Sequence, residues 1–304
     1  MKIVFRGVRG SIPSPGARTV RYGGNTTCIE VRSDNGELII LDAGSGIFPL
    51  ANTLLASLPI TCHIFITHTH WDHIQGLPFF IPVFIPGNCV KIHGAFDPVN
   101  HRSIREVLAR QMEYSYFPVR EEELNATMEY TTLRERQTIE VGDAKVTNIL
   151  MNHPVLNFGY KVECNGKSVF FTGDHEWPLN IYPDDAENQN EMDRLNFLEY
   201  QSFIDERNQE LMDFIHGVDA FIIDSAYTDE EYFNGKVGWG HGTFENSIKL
   251  ARRAEAKALY FTHHEPTRSD EDLEKLLASL HERFPPTEHD PKWILAREGV
   301  EIEL

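Results

Sequence analysis

The chain has 304 residues, 41% of them hydrophobic, enough to bury a large core in one generous α/β domain. Its 28 basic and 46 acidic residues give a net charge of −18, and no lysine- or arginine-rich run is present to displace counterions from a polyanion. The expectation is therefore that no nucleic-acid polymer is a partner, while a small anionic substrate is allowed because surface charge is screened over about 8 Å at physiological salt.

The longest apolar stretch, Gly76 to Gly87, is broken by three prolines and is too short to span a bilayer. Met1 to Arg6 lacks the apolar region of a signal peptide. The four cysteines, Cys28, Cys62, Cys89 and Cys164, are scattered without a Cys-x-x-Cys pair, as expected of reduced thiols in a cytoplasmic protein with no membrane partner.

In chain order, Lys2 to Arg6 and Thr27 to Val31 read as strands joined by a long loop dense in glycine and proline. Glu37 to Leu41 is a continuous apolar run, hence a buried strand, and ends at the turn Asp42-Ala43-Gly44-Ser45-Gly46. A further apolar run, His63 to Ile66, ends in Thr67-His68-Thr69-His70-Trp71-Asp72-His73. Residues Ile104 to Tyr130 carry helical spacing at Ile104, Val107, Leu108 and Met112, so a helical excursion is expected over about 98–132, overhanging the site or mediating contact in a homodimer.

Lys145 to Leu150 reads as a strand leading to His153. Phe158–Cys164 and Lys167–Phe171 pair across Asn165-Gly166, a type I′ hairpin signal, and the second arm leads to Asp174. Over about 177–208 the chain turns polar and acidic, which predicts a surface insertion. Strands follow at Val218–Ile223 and Lys257–Thr262, with a helix after Thr243 and another over Asp270–Phe284.

The stretch from His68 to His73 is a metal-ligand cluster, since three imidazoles and a carboxylate supply the nitrogen and oxygen donors that zinc or a similar divalent ion takes. His68 and His70 sit two apart, so in extended backbone their rings project to the same side. His68, His153, Asp174 and His263 each follow an apolar run at its C-terminal end, so a sheet-based core presents them along one edge. His63, His93, His101, His216, His281 and His289 lack that setting and read as surface or core residues.

This stretch resembles the His-x-His-x-Asp-His signature of the metallo-β-lactamase-fold hydrolases, in the phosphodiesterase and tRNase Z-like branch. The resemblance implies an αββα sandwich of two mixed β-sheets flanked by helices, as one domain over 1–304. It also implies two divalent ions, Zn²⁺ or else Mn²⁺ or Fe²⁺. His68, His70 and His153 would hold one ion, Asp72, His73 and His263 the other, and Asp174 would bridge them. Asp42 resembles the family's aspartate that hydrogen-bonds a ligand histidine. No cysteine occupies a position comparable to that of the class B β-lactamases.

The Arg-Gly-Ser-x-Pro loop at Arg9 and the Gly-Gly-Asn-Thr element at Asn25 resemble loops near the metals in this branch, so Arg9, Asn25, Arg18 and Arg21 are candidates to face the substrate. His264 and Arg268 are further candidates for substrate contact. His241 resembles the His-Ser-Thr histidine, with Gly242 in place of serine, and could donate a proton to a leaving alkoxide with Asp224 orienting it. Asp72 and His241 are thus the catalytic candidates. The expected activity is hydrolysis of small phosphodiesters such as cyclic nucleotides. The alternatives are hydrolysis of a lactone, thioester or other carboxylic ester, and a non-catalytic metal-bound sensor.

Overall fold

A computed structural model describes residues 1–182, 191–288 and 290–304. His289 and most of the acidic run Asp184 to Glu191 lie outside them. The first half of the chain forms β1 (Lys2–Gly7), β2 (Cys28–Arg32), β3 (Leu38–Leu41), α1 (Ile47–Leu54), β4 (Thr61–Phe65), α2 (Trp71–Ile74), β5 (Cys89–Ala95), α3 (Ile104–Gln111), β6 (Thr127–Leu133) and β7 (Thr138–Val141). The second half forms β8 (Ala144–Met151), β9 (Asn157–Cys164), β10 (Lys167–Phe171), α4 (Glu191–Ile215), β11 (Ala220–Asp224), α5 (Asp229–Phe233), α6 (Phe244–Arg253), β12 (Ala258–Thr262), α7 (Asp270–Arg283), β13 (Lys292–Leu295) and β14 (Glu301–Glu303).

Two seven-stranded mixed sheets result, in the orders β14-β1-β2-β3-β4-β5-β6 and β13-β12-β11-β10-β9-β8-β7. Strands β3 to β6 are parallel in the first, and β10 to β13 in the second. Apolar side chains of the two inner faces, among them Phe5, Ile29, Phe65, Tyr160 and Phe171, form the central layer. A second layer packs α1 and α3 on the outer face of the first sheet. A third packs the end of α4, together with α6 and α7, on the other sheet. This is the αββα sandwich, and it follows from strands buried on both faces, which read as continuous apolar runs rather than alternating ones.

Local signals account for the elements next to the site. Asn165 and Gly166 both have positive φ, +49° and +75°, as a two-residue I′ turn requires, and this fixes the register that carries β10 to Asp174. Thr243 caps α6, its Oγ1 accepting from Asn246 N at 3.1 Å, while Phe244, Ile248 and Ala251 are buried. The cap, worth about 1 kcal/mol, anchors the loop that carries His241.

One expectation is corrected and a second refined. The excursion at 98–132 is helical over Ile104–Gln111 and in a 3-10 turn at Glu121–Glu123, whereas Thr127–Leu133 is the edge strand β6, because the helical spacing ends at Met112 and pairing with β5 stabilises the later residues. The stretch expected as an acidic insertion at about 177–208 is, from Glu191 on, the first part of the 25-residue α4; it stays largely at the surface to Asn208, and the helix is anchored on the second sheet's helical layer only beyond it, by Leu211, Met212 and Ile215.

Candidate metal centre

The C-terminal ends of β3, β4, β8, β10, β11 and β12 converge on one edge of the sandwich, and each is followed within three residues by a donor side chain or ends in one: Asp42, His68, His153, Asp174, Asp224 and His263. Asp42 and His263 have φ of +62° and +58°, a left-handed backbone uncommon for such residues, which turns each side chain back toward the edge.

The donors fall into three overlapping sets of four, each with its ligand atoms within 4.8 Å of one another: His68, His70, His153 and Asp174, then Asp72, His73, Asp174 and His263, and lastly Asp174, Asp224, His241 and His263. In the first, His70 Nδ1 lies 3.1 Å from His68 Nε2 and 3.2 Å from His153 Nε2, and Asp174 Oδ2 lies 3.5 Å from His68 Nε2. In the second, Asp174 Oδ1 lies 3.1 Å from His73 Nε2 and 3.3 Å from His263 Nε2. Asp72 Oδ2 lies 3.4 and 3.3 Å from the same two nitrogens. Asp174 thus turns one oxygen to each of these two sets.

These spacings suit metal ions. Donors about 2.0–2.1 Å from a tetrahedral centre stand about 3.3 Å apart. His73 Nε2 and Asp174 Oδ1 are buried without a hydrogen-bond partner among the described residues, an arrangement costing about 1–3 kcal/mol per group unless something else satisfies them. Burial pushes the pKa of His68 well down, toward the neutral form that a ligand requires. At His73 burial acts in the same direction, but Asp174, Asp72 and Asp42 outweigh it and raise the pKa. That excess of carboxylate is what a divalent cation neutralises.

The other ring nitrogens are held by the fold. His73 Nδ1 donates to Asp42 Oδ2 at 2.7 Å, and Asp42 also accepts from Thr67 N and Thr67 Oγ1 at 2.7 and 2.9 Å. His153 Nδ1 donates to Gly240 O at 2.9 Å. Gly10 and Gly240 leave space for the ligand rings, since a Cβ would come within 2.2 Å of His263 and 2.4 Å of His153 respectively. Ser11 N donates to Asp72 Oδ2 at 2.7 Å, so the loop after β1 reaches the centre through its backbone.

His241 stands beside the centre, its Nδ1 2.9 Å from Asp224 Oδ2 and 3.7 Å from Asp174 Oδ2. Burial lowers its pKa, but Asp224 outweighs burial and the net shift is upward. Asp224 is itself fully buried, accepts from His175 N at 3.2 Å, and turns its second oxygen to within 3.6 Å of His263 Nδ1.

Sequence reasoning missed Glu176. Its buried carboxylate accepts from Gly238 N and Gly240 N, both at 2.7 Å, and from the Tyr232 hydroxyl. Its backbone pairs with Asn152, with Glu176 N donating to Asn152 O at 3.0 Å and Asn152 Nδ2 donating back at 2.9 Å. It therefore ties together the segments bearing Asp174, His153 and His241. The available signal was its position two residues after Asp174, just before the stretch read as polar and acidic.

The substrate-contact candidates are not at the centre. Arg9 is fully buried and donates to Gly23 O at 2.8 Å and Arg268 O at 2.8 Å, with Asp270 3.6 Å away. Asn25 is held by Glu298, its N and Nδ2 donating at 2.6 and 2.9 Å. His264 is fully buried against Ala296 O at 2.9 Å, and burial lowers its pKa to about 3. Arg268 is paired with Glu231 at 2.7 Å. Arg18 and Arg21 turn to Asp272 and Glu274 at 3.6 and 2.6 Å. These contacts join the loops to α7 and its approach, while Arg9 Nη2, His264 Nδ1 and Arg268 Nε are buried without a hydrogen-bond partner among the described residues.

Two stacked mixed sheets with a histidine- and aspartate-rich edge define the metal-dependent hydrolases of the metallo-β-lactamase fold. The beta-lactamase superfamily domain matches residues 38–194, and the chain belongs to that superfamily. Ribonuclease Z of Clostridium perfringens is 24% identical over 300 residues, covering 89% of this chain and 90% of the relative. The metallo-beta-lactamase fold protein YhfI of Bacillus subtilis has a TM-score of 0.66 at 16% identity, covering 99% of each chain. The short form of human tRNase Z has a TM-score of 0.61 at 18% identity, covering 100% of this chain and 99% of the other. The chain is thus a hydrolase of this superfamily, similar over its length to proteins named ribonuclease Z and tRNase Z.

These relatives correct the expectation that no nucleic-acid polymer is a partner, because full-length relatives are ribonucleases by name. Net charge sums over the whole surface, whereas recognition at a cleft depends on the local field of a few groups and of any cations held there. Among the described residues no helix is long and apolar enough to cross a membrane.

Proposed function

We propose that the chain is a dinuclear, metal-dependent phosphodiesterase acting on nucleotide phosphodiesters, cyclic nucleotides among them. His68, His70 and His153 hold one ion in this reading, Asp72, His73 and His263 the other, and Asp174 both. Nitrogen and oxygen donors in sets of four favour zinc, with Mn²⁺ and Fe²⁺ the other ions such donors take. When bound, the ions supply Lewis acidity toward phosphoryl oxygens and lower the pKa of water at the reaction centre. A cytoplasmic setting fits the four free thiols.

The observation that carries the reading is the His241–Asp224 pair, 2.9 Å apart beside the bridging carboxylate. A phosphodiester leaves as an alkoxide, which needs a proton, whereas a carboxylic ester chiefly needs an oxyanion donor. With Nδ1 held by Asp224, the imidazole keeps Nε2 for the leaving oxygen, and the carboxylate favours the protonated ring. Asp42 and Gly240 O fix the tautomers of His73 and His153 so that Nε2 of each carries the lone pair.

The test is hydrolysis of bis(p-nitrophenyl) phosphate, 3′,5′-cyclic nucleotides, short RNA, a lactone and a thioester, with metal content measured on the same sample. Phosphodiester turnover should disappear with chelator and in Asp174→Ala. His241→Ala should keep both ions and lose about 10²–10⁴ in kcat on substrates with alkoxide leaving groups. Two ions with turnover only of the lactone or thioester would refute the reading, and loss of metal in His241→Ala would make that residue a ligand.

A further inference from the structure

A cavity of about 120 Å³ opens directly off His241, walled by Trp177, Leu179, Tyr232 and Phe233 and floored by Asn246 and Lys249 of α6. Its composition is unusual for a solvent-facing hollow. Phe233 is 67% exposed and Leu179 41%, so neither contributes much to the core by standing there. Tyr232 and Phe233 form an edge-to-face pair with ring centroids 5.1 Å apart, and the Tyr232 hydroxyl is anchored on Glu176. The aromatic wall is thereby held by the same carboxylate that holds the His241 loop.

Two polar features narrow the ligand. The Asn246 backbone N–H goes to Thr243 Oγ1, while its side-chain amide, at the cavity, has no hydrogen-bond partner among the described residues. The Lys249 ammonium lies 3.9 Å from Asp229 Oδ2, with Asp229 Oδ1 accepting from Thr243 Oγ1, and the His241 ring is paired with Asp224 at 2.9 Å, so both cations lining the cavity are already compensated. A phosphate would need an uncompensated cation here. An aliphatic group would leave the amide unused. A flat heteroaromatic ring satisfies both, stacking on the aromatic wall and offering donor and acceptor edges to the amide.

We propose that this cavity is a nucleobase subsite that receives the base of the leaving nucleoside. The proposal rests on the phosphodiesterase reading for its assignment to the leaving side, because His241, the proton donor to the departing oxygen in that reading, lines the cavity. Stacking on an aromatic side chain tolerates every base, so the subsite selects a nucleoside over a simple alcohol, and the Asn246 amide biases the choice among bases.

The experiment compares adenylyl-(3′→5′)-adenosine, whose leaving group is a nucleoside, with glycerol 3-(methyl phosphate), a diester that carries no ring. Phe233→Ala, a change at an exposed side chain, should lower the ratio of the two kcat/KM values roughly 5- to 150-fold, the loss of one base–aromatic stack. Phe203→Ala, an exposed aromatic of α4 outside the cavity, should leave that ratio unchanged. An unchanged ratio in Phe233→Ala overturns the proposal. Calorimetric binding of adenosine to wild type and to Phe233→Ala needs no turnover and separates the two readings. If wild type cleaves neither diester yet binds adenosine, with weakening in Phe233→Ala, the phosphodiesterase reading fails and the subsite stands. Absent or equal adenosine binding overturns the subsite whatever the turnover.

Discussion

Replacing Glu176 with glutamine tests whether one carboxylate holds the catalytic edge together. One carboxylate oxygen accepts from Tyr232 and Gly238 N, and the other from Gly240 N. An amide has only one acceptor oxygen, so its NH₂ must face either Gly240 N–H or the Gly238 side. Tyr232 can rotate its hydroxyl to accept, but a backbone N–H cannot, so one orientation orphans the buried Gly240 N–H at a cost of about 1–3 kcal/mol and the other loses the bond from Gly238 N, on an exposed residue, at about 1 kcal/mol. Gly240 also offers its carbonyl to His153 and immediately precedes His241, so the disturbance reaches a ligand and the proposed proton donor together.

The expected outcome for Glu176→Gln is a loss of about 1–3 kcal/mol in denaturant unfolding and a roughly 10- to 100-fold loss in metal affinity or kcat, as for other partners of metal ligands. Tyr232→Phe removes one bond without orphaning a backbone group and should cost about 1 kcal/mol, with a smaller effect on kcat. Metal titration, unfolding curves and kcat on a phosphodiester read these separately. A Glu176→Gln protein with wild-type stability, metal affinity and kcat would refute the reasoning.

Gly10→Ala drives a Cβ to within 2.2 Å of the His263 ring, so it should cost about 1–3 kcal/mol and reduce bound metal from two ions per chain toward one; two retained ions at unchanged stability would refute it. Chelation should lower the melting temperature by on the order of 10 °C, since tight ligand binding contributes about 4 kcal/mol at a thousandfold excess over Kd; an unchanged melt would count against a resident metal. His93, buried on β5 and stacked on His63, has its pKa lowered by burial, then by His63 and Lys91, to about 4. The unfolded chain takes up that proton near pH 6.5, so stability present above pH 6.5 is lost as pH falls toward 4, by up to about 3 kcal/mol. In His93→Gln the stability curve should be flatter over that window, and an unaltered slope would show that His93 does not titrate as described.

Much of this protein was legible in its residues. The apolar runs ending at Leu41, Phe65, Phe171 and Thr262 identified buried strands, and the Asn165-Gly166 turn fixed a hairpin register, because strand burial and turn chemistry are local properties. Residues 127–133 were not legible as a strand. They lie at a sheet edge, where pairing with β5 supplies the stabilisation that the local sequence does not advertise. The small strands β7, β13 and β14 went unrecognised for the same reason.

The chemistry divides along the same line. His68, His70, Asp72 and His73 lie within six positions, so the donor types and their spacing were determined by the sequence alone. Which of the arginines and histidines remained free to meet a substrate was decided only by tertiary structure. Arg9 and Arg268 are far apart in sequence, yet Arg9 donates to the Arg268 carbonyl, and its charge is used inside the fold. Glu176 acquired its role the same way, from donors 56 to 64 residues away that no local pattern announces. A side chain's type states what it can donate or accept. Only the packed chain decides whether a buried carbonyl or carboxylate has already taken it.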